Sequence, residues 1–171
     1  FYMLGIWLGL SENIEKDANE AHRLTLNVVK KDPEYAYASN LAAMLESQYL
    51  GDLDAACRRL EKLEQISTDA SNIEMTASRA RNCGKYEKSL KLYAKALKMA
   101  PHIGLWMNKA YAVTFLMKAF EENKTDFSDA KAFIKSQIKE NYSGESVNEM
   151  WLMMLAYMSA KEGEKNLALE Y

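Results

Sequence analysis

Gly51-Asp-Leu-Asp-Ala-Ala56 and Gly84-Lys-Tyr-Glu-Lys-Ser89 share one plan. A glycine opens a polar turn, an apolar or aromatic residue and an acid follow, and a small residue stands at the fifth place after the glycine. Gly51 and Gly84 are 33 residues apart, and so are Ala56 and Ser89. Gly163-Glu-Lys-Asn-Leu-Ala168 is a third, looser copy. A period in the mid-thirties is the mark of a helical hairpin repeat. Stacked hairpins usually form a binding surface and not a reaction centre.

Working outward from these turns, the apolar residues recur at helical spacing. Leu53, Ala56, Cys57, Leu60 and Leu63 make one stripe on a helix running to about Ile66, with Asp52 as its cap. Gly51 ends the helix before it, Glu34 to Leu50, as a left-handed cap does. Thr68-Asp69 restart the pattern, which Gly84 ends, and Tyr86 to Met99 is a further helix stopped by Pro101. At the front, Tyr2 to Leu10 and Lys16 to Lys31 form a hairpin. Farther on, helices are expected over Ile103 to Glu122, Asp126 to Lys139 and Ser146 to Lys161, with a turn at Asn141 to Gly144. The expected fold is all-α, a right-handed solenoid of about five antiparallel helix pairs. It forms a single array over residues 1–171, with repeats at about 2–35, 36–69, 70–103, 104–144 and 145–171, the last one cut short. Ala21, Ala56, Ser89, Ala130 and Ala168 each fall early in the second helix of a pair. A small side chain there lets two helices approach to within the usual ~8–10 Å.

Composition limits the function. Hydrophobic residues make up 49% and charged residues 27%, the balance of a soluble globular chain. The net charge of −2 argues against a nucleic-acid binder, which carries a basic stripe. No apolar run reaches the ~18–20 residues of a membrane span. Cys57 and Cys83 fit neither a disulfide framework nor a zinc pattern, so two small buried thiols in a reducing cytoplasm are expected. The chain starts at Phe1 and stops inside an apparent helix, so it is expected to be part of a longer protein.

The third repeat carries Ser89, then Tyr93 four places on, Ala96 three further and Pro101 five further. With Leu8-Gly9, Ala21 and Pro33 in the first repeat, Ala56 in the second, Ala110-Tyr111 and Ala130 in the fourth, and Leu155-Ala156 and Ala168 in the fifth, the chain resembles the tetratricopeptide repeat family along essentially its whole length. Lys31-Asp-Pro-Glu-Tyr-Ala36 and Met99-Ala-Pro-His-Ile-Gly-Leu-Trp106 are also similar to the divergent arrays attached to bacterial nucleotidyl cyclases or winged-helix regulators.

The resemblance implies that the first helix of each pair lines a concave face. The inner residues would be Leu41, Leu45, Gln48 and Tyr49; Glu74, Ser78, Arg81 and Asn82; Asn108, Ala112, Phe115 and Leu116; and Met150, Met153, Tyr157 and Lys161. That face is apolar with one polar band, and it departs from the Lys/Asn/Arg clamp by which chaperone-type members hold a C-terminal carboxylate. Leu45, Tyr49, Arg81, Asn108, Phe115 and Tyr157 are the candidate partner-binding residues.

The residues that would carry chemistry are missing from the sequence. There is no glycine-rich phosphate loop, no HExxH pair and no nucleophile elbow. His22 and His102 stand alone, and Glu121 to Asp126 lacks the alternating oxygens of a calcium loop. The expectation is a cytoplasmic, non-catalytic scaffold without metal or cofactor, which binds a protein or peptide through an apolar groove and binds neither nucleic acid nor membrane. An apolar face also permits a homodimer. The alternative expectation is the sensory C-terminal array of a bacterial cyclase or transcription regulator.

Overall fold

The structure is a computed structural model. It describes the backbone of residues 2–101, 104–122, 126–141 and 145–171, and the side chains of these residues except 104–109, 137, 139–141, 145–148 and 150. The described chain is all-α. Its helices are α1 (Tyr2–Trp7), α2 (Ile14–Lys31), α3 (Ala36–Gln48), α4 (Leu53–Arg58), α5 (Leu60–Ile66), α6 (Ala70–Asn82), α7 (Tyr86–Met99), α8 (Gly104–Glu121), α9 (Ser128–Asn141), α10 (Glu145–Lys161) and α11 (Lys165–Glu170).

The helices start and stop where local chemistry requires. Asn13, Asp52 and Asp69 each accept the backbone N–H three residues on, from Lys16, Ala55 and Asn72, at 2.9 Å. At the end of α6, Gly84 has φ +68° and donates its N–H to the Arg81 carbonyl at 2.9 Å, while Lys85 N–H reaches back to Ala80 at 2.9 Å. This is a Schellman cap, and it consumes carbonyls that the helix end leaves unpaired. A Cβ at residue 84 would meet nothing within 4 Å, so the dihedral angle alone selects glycine. The same two bonds close the turns at Gly9 and Gly163, and a close variant closes the one at Gly51. The glycine period read from the sequence is therefore one turn used repeatedly.

Two details differ from the sequence reading. The helix expected from Asp52 to Ile66 is interrupted at Arg59, between α4 and α5. Asp126 does not cap α9 directly. It accepts the Ser128 N–H at 2.9 Å, and α9 begins at Ser128. The turn expected at 141–144 lies largely outside the described residues.

The chain divides into two compact units, residues 1–107 and 108–171, with the division in the first turn of α8. In the first unit, α1 packs on α2, α3 on α4, and α6 on α7, while α3 also touches α2 and α6. Met3 and Ile6 of α1 lie against Ala18 and Ala21 of α2 and Leu45 of α3. Ala36, Ala43, Ala56, Leu63 and Ile66 form a second cluster, and Ile73, Ala96 and Ala100 a third. The small residues are buried as expected: Ala21, Ala56 and Ser89 in this unit and Ala130 in the other. Ala168 is half-buried. Ser89 shows what the small position achieves. Its hydroxyl, fully buried, donates to the Ala77 carbonyl of the facing helix at 2.8 Å.

Consecutive hairpins are also held by buried polar groups. Asn40 of α3 donates to the Asn72 carbonyl and to Thr76 Oγ1, each at 3.3 Å, and the Thr76 and Ser67 hydroxyls are 2.8 Å apart. In the second unit, α8, α9 and α10 share one core of Ala112, Ala119, Phe127, Ala130, Ile134, Trp151, Met154, Leu155 and Met158. No described helix is long and apolar enough to cross a membrane.

Candidate functional site

The six candidate binding residues meet different fates. Leu45 is fully buried, packed with Ala18 and Ala21 where α2 and α3 meet, so it cannot reach a partner. Its face of α3 is turned to the preceding hairpin. Tyr49 is the C-cap of α3 and lies half-buried on that same cluster. Leu45 is a correction, because stacking needs that position for the core. Arg81 is half-exposed in the last turn of α6 and donates to the Ser78 hydroxyl at 3.3 Å.

In the second unit, the side chain of Asn108 lies outside the described residues. Phe115 packs on the core, its ring 5.6 Å from that of Tyr111. Tyr157 behaves as a surface residue should. It is 42% exposed, its ring meets the edge of Phe120 at 5.2 Å, and Lys161 Nζ stands 5.7 Å above it. Met153, one turn earlier on α10 and on the same face, is 72% exposed, and Phe120 is 44% exposed. Phe120, Met153 and Tyr157 thus form an apolar patch rimmed by Lys161. The inner positions implied by the resemblance include Met153 and Tyr157. They do not include Phe120, which belongs to the neighbouring helix α8.

The polar band of the third repeat is present in the first unit, with Glu74, Ser78, Arg81 and Asn82 all half-exposed on α6. Burial raises the Glu74 carboxyl above its ordinary value, against the pull of Arg79 and Arg81. Burial likewise lowers Arg79 and raises the Tyr93 phenol. The inner-face reading of α6 passed over Arg79 and Tyr93.

Three further features escaped the sequence reading. Glu46, almost fully buried in α3, receives two guanidinium nitrogens of Arg59 at 2.8 Å and lies 2.9 Å from His22 Nε2. An acid within the apolar stripe of α3 was the available signal. Lys131 bonds Glu162 and Glu164, which also ties the start of α9 to the α10–α11 turn through Phe127 N–H. Burial works against the charge on Lys131, but these two carboxylates outweigh it and hold its pKa above the ordinary value.

The third feature is a correction. Cys57 and Cys83 are not free buried thiols. They form a disulfide with a Cα–Cα distance of 5.7 Å, joining α4 to the C-cap of α6. A separation of 26 residues says nothing about proximity until the hairpins are stacked.

Comparison with protein-family models, with curated proteins and with solved structures returns no match.

Proposed function

We propose that the chain is a non-catalytic interaction module, a single array of tetratricopeptide-like hairpins that binds a protein or peptide segment. The observation that carries this reading is the apolar patch of Phe120, Met153 and Tyr157. Large apolar side chains grouped on one face, with a cation at the rim, are the usual composition of an interface anchor. The repeated Schellman turn and the buried small residues support the hairpin repeat, and the contact of α3 with both α2 and α6 supports the stacking of consecutive hairpins.

The occupant we propose is a segment with one or two apolar anchors and an acid placed to meet Lys161. The disulfide bears on where this happens. Such bonds persist in oxidising compartments and are rare in the cytosol, so the cytoplasmic expectation loses its cysteine argument. The alternative reading, an array serving a cytoplasmic cyclase or transcription regulator, loses ground with it.

Selection of a displayed peptide library against the whole chain tests the proposal. Selected peptides are expected to share apolar anchors and to bind the Met153→Ser, Tyr157→Ala double variant at least tenfold more weakly, with the melting temperature of that variant within about 2 °C of the parent. Peptides that bind the double variant as well as the parent would remove the patch from consideration.

A further inference from the structure

The four turns capped by a left-handed glycine give a common reference, Gly9, Gly51, Gly84 and Gly163. Five residues before the last three stand Glu46, Arg79 and Met158, and all three are buried. At that place a hairpin faces the one before it. Glu46 lies 2.9 Å from His22 on α2, and Met158 sits in the core shared by α8, α9 and α10. Five residues before Gly9 stands Leu4, and it is 54% exposed. Trp7 and Leu8, three and four places on and so on the same face of α1, are each more than half exposed, as is Leu10 just past the cap. Met3 and Ile6, on another side of α1, pack against α2 and α3. So α1 turns to solvent the face that later hairpins bury.

Gly5 points the same way. Glycine inside a helix is destabilising relative to alanine. Gly5 does not adopt the left-handed backbone of the cap glycines, and a Cβ there would meet nothing within 4 Å. Neither the backbone nor packing within the chain therefore selects it. It flanks Leu8 on the helix surface, where the missing side chain lets a second backbone come close. Residues 2–10 carry no charged side chain. A partner with a charged face finds no counter-charge there, and a helix that lies on a membrane surface carries Lys or Arg on its polar side. A second α1 meets neither objection. Leu4, Trp7, Leu8 and Leu10 expose on the order of 500 Å² per copy, so two copies meeting there cover on the order of 1,000 Å², the lower bound for a specific interface.

We propose that α1 is a self-association surface. The Leu4–Trp7–Leu8 stripe docks on the same stripe of a second copy of this chain across a two-fold axis, and Gly5 lets the two helices approach. Such a contact uses one patch twice and needs only that the patch complement itself, which a neutral apolar stripe does. The stripe belongs to the first unit, whereas Phe120, Met153 and Tyr157 belong to the second. Its pairing does not depend on that patch binding anything.

Sedimentation equilibrium of the whole chain, from about 1 to 200 µM, tests this. The mass is expected to rise toward twice that of one chain. Leu8→Glu and Leu8→Lys, both at an exposed position, should each weaken association at least tenfold, because the two-fold axis brings like charges together. Their melting temperatures at low concentration should stay within about 2 °C of the parent. An equimolar mixture of the two variants should recover the dimer, since the charges are then opposite. Gly5→Gln, a better helix former placed in open space, should leave the monomer at least as stable and weaken the dimer about tenfold. A parent that stays monomeric at about 200 µM, a dimer that the Leu8 and Gly5 variants leave intact, or a mixture no tighter than either variant alone overturns the proposal. Co-sedimentation of the parent with phosphatidylcholine vesicles where no dimer forms would assign the stripe to a lipid surface, and overturns it too.

Discussion

Cys57 on α4 and Cys83 at the C-cap of α6 are joined by a disulfide, so two successive hairpins are linked covalently as well as by packing. Closing a loop of 26 residues restrains the unfolded chain. Reduction, or Cys57→Ala with Cys83→Ala, is expected to lower stability by about 3 kcal/mol. Thiol counting on the unfolded protein and urea melts with and without reductant check this. Two free thiols in protein purified without reductant would contradict the link.

The Arg59–Glu46 pair is nearly buried on the Glu46 side, with side-chain exposures of 27% and 3%. Arg59→Ala leaves a carboxylate in the core with His22 as its remaining partner, at an expected cost of about 3 kcal/mol. Arg59→Met combined with Glu46→Leu should recover most of it, because the uncompensated charge is then gone. Urea melts of the single and double variants decide. A loss below about 0.5 kcal/mol in Arg59→Ala would show a solvated pair.

Ala56 is 1% exposed where α4 meets α3. Ala56→Leu should overpack that contact and destabilise by about 1–3 kcal/mol. An unchanged melting temperature would mean that the two helices are not held close there.

Asp69 caps α6. Hydrogen bonds from Asn72, its backbone N–H first and its side chain second, hold the Asp69 carboxyl below the ordinary aspartate value. Because the folded value is the depressed one, the cap contributes fully above the unfolded-state value and is lost as pH falls through the folded one. Asp69→Ala should cost about 1 kcal/mol near neutral pH. The gap between parent and variant should close as acid protonates the parent's cap. Thermal melts of both proteins down the acid range measure it, and a gap independent of pH would assign the cost to something other than the carboxylate.

Tyr49 and Phe115 were expected at the binding face, but both rings lie against core clusters. Alanine at both should therefore lower stability by several kcal/mol in total. A double variant that melts with the parent would return the two rings to the surface.

Much of the local structure was legible because it is decided within a few residues. The left-handed φ at Gly51 and Gly84, the caps at Asp52 and Asp69, the stop at Pro101 and the 3.6-residue periodicity of Tyr86 to Met99 are all short-range effects. The buried Ala56 and Ser89 were legible through their period, since each hairpin poses the same steric problem.

Helical periodicity identifies an apolar face, but it does not say whether that face meets the neighbouring hairpin or the solvent. Leu45 proved to be core and Tyr49 half-buried against it, while Met153 and Tyr157 are surface, although all four satisfy the same spacing. Contacts between residues distant in sequence were equally illegible: Cys57 with Cys83, Arg59 with Glu46, Phe120 with Tyr157. Each depends on how one hairpin is turned against the next, or one helix against its neighbour. The sequence by itself determined where helices begin, end and reverse. Only the tertiary structure decided which side chains are left over, exposed as the patch on α10 or the stripe on α1, because that residue is set by the summed packing of elements no local pattern encodes.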